Sequence, residues 1–385
     1  MVVGKRKINA LLIGILILIC IMFPNDIFSL KKIVFVLLLL LNFSIILSSL
    51  RKASVCSVYG FVFPLLLWIY SFVLMFDIIT PFLRVFCCFM LLLLIPIMVY
   101  EIDFEVILTK LSWIIVFVTL TVLILDLFNI LDINGNNFLR NFWYNNEIGM
   151  MGKGHIYSGY YKIFMKSSPI LCFTLFKEAK EKKYIKMILI LLTLLVSGTR
   201  SNMFFPIAML IICFFIEQKG DNRRLLKVVF ALIMVVISIG YIDSIWASFR
   251  ETFIEKGSLS DSVRLGHLDG LIESYKRNPI NIFIGTGMGS SFYSYGSNSY
   301  ANSIELSYLD LFRQMGIVFF MAFMYFLIKP LFGNFIDIST KCAYIAYLLI
   351  AATNPLLFSS TAFMVYIYIY FKYKKNKELH YNECK

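Results

Sequence analysis

Apolar runs of about twenty residues, parted by shorter polar stretches, repeat along most of the chain. A helix that crosses a bilayer needs roughly 20 mostly apolar residues, each advancing it about 1.5 Å. On that measure the runs near 8–25, 31–50, 56–76, 82–100, 106–127, 161–177, 183–198, 202–217, 228–246, 311–328, 342–357 and 358–372 predict twelve spans. The pattern reads as an all-α polytopic membrane protein, with 1–385 as a single integral membrane domain. Two segments break the rhythm, approximately 128–160 and 247–310. Both exceed the length of ordinary connectors and are rich in Tyr, Asn, Gly and Ser, without the Pro/Glu/Lys mixture of disorder. The second is expected to contain short amphipathic helices.

Charge gives the spans a direction. Lys5, Arg6 and Lys7 precede the first run, and no small-residue cleavage site follows it, so an uncleaved span with a cytoplasmic N-terminus is expected. An even number of spans returns the C-terminus to the same side. The basic stretches "KEAKEKK" (177–183), "EQKGDNRRLLK" (217–227) and "KYKKNK" (372–377) then all fall inside, as the positive-inside rule requires. Lys31, Lys32 and the acidic "EIDFE" (101–105) run against it. The two long polar segments become external loops.

Composition agrees with this class. The 385 residues are 60% hydrophobic and 15% charged, and the mean hydropathy is +0.81. The formal charge of +13 is accounted for by cytoplasmic loops and does not call for nucleic acid. The eight cysteines fall in spans or at cytoplasmic ends, which gives no disulfide framework. Three histidines and no ligand spacing give no metal site and no cofactor.

Residues able to carry chemistry gather outside. Arg200 sits in "GTRSN", a tight external turn between the seventh and eighth spans. It reads either as a cation snorkelling in the headgroup layer or as a ligand for a diphosphate, which its planar fork suits. "SDSVRLGHLDGLIESYKRNP" has apolar residues at Val263, Leu265, Leu268, Leu271 and Ile272, a helical spacing that ends at Pro279. Such a helix lying on the surface presents Arg264, His267 and Asp269 near its start. Gly285, Gly287 and Gly289 in "IGTGMGS" lack the spacing of a dinucleotide fingerprint and fit sharp turns beside a ligand. Glu305 and Asp310, five apart, precede the tenth span. Glu305 fits either a general base or an interfacial ion pair with Arg313. His155 and His267 are the external histidines.

Three stretches together resemble the O-antigen polymerase and O-antigen ligase superfamily of bacterial polysaccharide assembly. "LLVSGTRSNM" is similar to the family's arginine turn between spans. "SVRLGHLDGLIESYKRNPINIFIGTGMGSSFY" is similar to its large external loop, and "SIELSYLDLFRQMGIVFFM" to its re-entry segment. The resemblance covers about 130 residues, roughly 185–328. It implies a metal-independent glycosyltransferase at the external face of a bacterial cytoplasmic (inner) membrane, making O-antigen or capsular polysaccharide. Its substrate would be an undecaprenyl-diphosphate-linked oligosaccharide held among membrane lipid, with a chain-length regulator and a flippase as partners.

In that reading Arg200 and Arg264 bind diphosphate and Glu305 takes the acceptor's proton. Arg140, Lys153, His155, His267, Gly285, Gly287, Gly289 and Asp310 are candidate substrate contacts. Glu305 stands where ligases usually carry histidine, which favours the polymerase branch over the ligase. A flippase of lipid-linked oligosaccharide would instead place charge within its spans.

Overall fold

The computed structural model describes residues 2–23, 30–51, 54–75, 86–101, 103–153, 161–216 and 256–383. The chain is mostly helical, as an all-α fold requires. Among the described residues, strand is confined to two short antiparallel hairpins, Gly149–Gly152 with Lys162–Met165 and Phe292–Ser294 with Ser299–Ala301. Phe104–Leu127 and Ser307–Leu331 are long and apolar enough to cross a membrane. The pair Leu30–Leu41 and Phe43–Leu50 reaches that length only across a 79° bend. Shorter apolar helices, including Tyr184–Val196, Arg200–Ile216 and Ile338–Ala352, occupy places where further spans were expected. The run near 228–246 lies outside the described residues. The described helices therefore match the apolar runs in position, while few have the length of a full crossing.

Three expectations change. The run 161–177 does not begin as helix: Lys162–Met165 is a strand, and helix starts only where Ser168 and Pro169 open it. Backbone pairing with Gly149–Gly152 claims the first residues, and proline's fixed φ suits an N-terminal turn. Among the described residues, the second loop carries a helix of 22 residues, Lys256–Arg277, longer than the short amphipathic helices expected, followed by the four-residue helix Asn281–Ile284. The long helix stops two residues before Pro279, yet its buried side is not the expected apolar one. Leu265 is 61% exposed, and Val263 and Ile272 are exposed too, whereas Gly266, Gly270 and Leu271 are covered.

The chain divides into two compact units. The first comprises Met1–Glu105, Ser262–Ile336 and Ala351–Lys385. Its hub is the C-terminal helix Ser360–Glu383, buried at every position from Phe363 to Phe371 and packed on Val2–Met22 and Ile95–Glu101. A helix apolar all round belongs in an interior, and its tyrosine hydroxyls must find acceptors there. Tyr370 donates to Phe326 O at 2.7 Å and Tyr366 to Leu357 O at 3.2 Å. Asn9 and Asn42, both fully buried, exchange amide hydrogen bonds of 2.9 Å at the 79° bend.

The second unit comprises Val106–Asp261 and Asp337–Ile350. The start of its long polar segment is organised by one carboxylate. Asp126 accepts from Lys153 Nζ and Tyr161 OH, each at 2.7 Å, and from Ile133 N at 3.0 Å. Asn134 and Lys153 add a reciprocal pair of bonds, so the strand-bearing segment is held where it leaves the long helix.

Candidate functional site

The helix Lys256–Arg277 supplies a rigid base for the hairpin that follows it. Gly266 and Gly270, four apart, lie on one helical face. A Cβ on Gly266 would strike Gly296 N, one on Gly270 would strike Tyr293 O, and one on Gly296 would strike Val263 O. Helix and hairpin thus meet main chain to main chain. Beside them Leu271, Phe292 and Ile304 form a small core, covered by Tyr275, Ala301 and Leu306.

The polar groups of this platform converge. Arg264 Nη2 meets Glu305 Oε2 at 3.0 Å, with 26% and 59% of the two side chains exposed. An ion pair so open to solvent contributes about 0–1 kcal/mol, so a competing anion displaces it at little cost. One turn along the same face, His267 Nδ1 lies 2.5 Å from Ser294 Oγ. Burial pushes the imidazole below its ordinary value, against smaller opposing effects of Glu305 and Asp310. The ring is therefore neutral at pH 7.

Beneath the platform lies a second, closed network. Arg313 is fully buried and binds Asp310 Oδ1 through Nε at 3.1 Å and Nη2 at 2.8 Å. Its Nη1 donates to Ser290 O and Ser290 Oγ, and its Nη2 to Asn302 O. The Phe292 ring lies 5.0 Å from the guanidinium carbon. Gln314 Nε2 donates to Asp310 Oδ2, and Gly289 N donates to Gln314 Oε1. Each charge here is matched by hydrogen bonds, which a buried ion pair needs to offset its desolvation. Asp310 is thus spent inside the protein rather than presented to a ligand. Glu305 pairs with Arg264, not with Arg313 as the sequence spacing allowed.

The glycine run also serves this framework. Gly285 has φ +73 and Gly316 has φ +67, values that disfavour any side chain. The second interrupts the helix Ser307–Ile328. Thr286 N and Gly287 N donate to Arg313 O and Gln314 O, filling the carbonyls that the break leaves open. Gly287 therefore caps the broken helix, Gly285 ends the short helix before it by bonding Asn281 O, and Gly289 holds the Gln314 side chain.

The remaining candidates sit elsewhere. Arg200 opens the helix Arg200–Ile216 in the second unit, after a turn at Gly198 where an added Cβ would stand 2.7 Å from Tyr161 O. Ser197 and Asn202, both fully buried, brace that turn through a bond of 3.1 Å. Arg140 Nη1 donates to Asn134 O, and Lys153 is committed to Asp126. His155 lies outside the described residues. Ser294 and Asp126 were not singled out in the sequence, and Arg313 was weighed there only as a partner for Glu305. Arg313 had a signal, since Asp310 precedes it by the three residues of a helical pair, whereas Ser294 had none. Comparison with protein-family models, with curated proteins and with solved structures found no match.

Proposed function

We propose that the chain is a polymerase of lipid-linked oligosaccharide repeat units, working at the external face of a bacterial cytoplasmic membrane and crossing it about twelve times with both termini inside. The observation that carries this is the exposed Arg264–Glu305 pair on a glycine-locked platform, beside a neutral imidazole. A cation whose carboxylate partner is easily displaced is a seat for an anion that the substrate brings. In the proposed step an acceptor hydroxyl attacks the anomeric carbon of the growing glycan. The bond from that carbon to the diphosphate oxygen breaks, and the leaving diphosphate keeps the electron pair. Negative charge grows on that oxygen, where a fixed guanidinium lowers the barrier most. Glu305, released from Arg264 by the incoming diphosphate, takes the hydroxyl proton. Arg200 is the second arginine of this reading and is tested on its own.

Gel separation of glycans decides it. A deletion strain should accumulate single repeat units, and neither Arg264→Ala nor Arg200→Lys should restore long chains, though both proteins reach the membrane. Long chains persisting on undecaprenol in the deletion strain would point to a ligase. Unchanged polymer in both variants would end the diphosphate assignment.

A further inference from the structure

We propose that His267 touches the bound diphosphate as a neutral hydrogen-bond donor beside Arg264, and that Ser294 is the positioning residue that fixes its tautomer. This rests on the diphosphate reading above and gives His267, a candidate substrate contact, the part of a donor. The argument is one of hydrogen placement. Ser294 is fully buried; its Oγ accepts from Ser297 N at 3.2 Å and faces His267 Nδ1 at 2.5 Å. Among the described residues that hydroxyl makes no other hydrogen bond in which it could donate. Its hydrogen therefore goes to Nδ1, because a buried hydroxyl left undirected is costly.

Nδ1 then carries no proton of its own, and a neutral ring must hold its proton on Nε2. A general base would need a lone pair there; this ring offers an N–H. The charged groups around it are Arg264 on its own helix, Glu305 on the segment that follows the hairpin, and Asp310 at the start of the next helix. Burial outweighs the pull of the two carboxylates, so the ring stays uncharged. An uncharged donor stabilises a departing diphosphate without setting a second cation beside Arg264.

The chain has three histidines, His155, His267 and His380, so nitrogen-15 labelling of histidine in the full-length protein gives an assignable spectrum. At pH 7 His267 should show a protonated Nε2 and a bare Nδ1. Inorganic pyrophosphate and farnesyl diphosphate serve as separate probes. A shift of Nε2–H with both assigns recognition to the diphosphate group, and a shift with farnesyl diphosphate alone assigns it to a lipid-borne one. Ser294→Ala should scramble the tautomer and weaken binding of the effective probe about tenfold, while Ser294→Thr retains both. A proton on Nδ1, or a His267 signal that neither probe moves, overturns the proposal. These signals are read without turnover. Long chains that persist in the deletion strain would count against the polymerase reading alone.

Discussion

Gly285 and Gly316 lie back to back, so close that a Cβ built on Gly316 would stand 2.5 Å from Gly285 N. Each also holds a backbone conformation that side chains resist. Alanine at either position should therefore cost more than a usual surface change, about 2–4 kcal/mol from strain and overlap together. Thermal unfolding in detergent should show each midpoint lowered by several degrees. An unshifted midpoint would mean that the helix break is not held by this contact.

The two ion pairs of the same region should separate cleanly. Replacing Asp310 by alanine strands a fully buried guanidinium and should destabilise the first unit by about 3–5 kcal/mol. Replacing Glu305 by glutamine removes an exposed pair and should change stability by less than about 1 kcal/mol while abolishing long polymer. Equal losses of stability would contradict the division between framework and working residues.

Acid should act at Glu273. The Tyr295 hydroxyl, then the Arg277 guanidinium, hold this carboxyl below its ordinary range. A depressed folded value contributes stability that is fully present above the unfolded value, near pH 4.5, and fades as pH falls through the lower folded value. The wild type should therefore lose its advantage over Glu273→Gln as the medium is acidified below about pH 4. A difference between the two that stays constant from pH 7 to pH 3 would rule this out.

The buried amides of Asn9 and Asn42 provide a coupling measurement. Leucine at Asn42 leaves the Asn9 amide without its mate, and leucine at Asn9 leaves Asn42 Oδ1 unpaired and its Nδ2 with Leu38 O alone, whereas leucine at both removes these demands. A double-mutant cycle should return a favourable coupling of about 0.6–1.7 kcal/mol, the range for polar pairs between helices in membranes. A coupling of zero would make the amide exchange incidental to the bend.

Helices were legible in the sequence because an apolar run specifies its own hydrogen bonds. The hairpins were not, since Lys162 pairs with Gly152 ten residues away and nothing local announces it. The platform helix was placed correctly and turned wrongly. Val263, Leu265 and Ile272 drew attention by their hydrophobicity, but the packed side is made by Gly266 and Gly270, which bury backbone instead of side chain. Arg264 and Glu305 were each legible as candidates; their pairing, across 41 residues, was not.

The contact of glycine ridge and hairpin bears on how such a protein can diversify. Its geometry is written in main-chain atoms, so the outward residues of the hairpin hold nothing together at the ridge. Tyr293, Tyr300, Ser297 and Ser299 are exposed, and selection can rewrite them one by one while the seat at Arg264 keeps its shape. A lineage that met a new ligand would need to conserve three glycines and could spend its mutations on the surface around them.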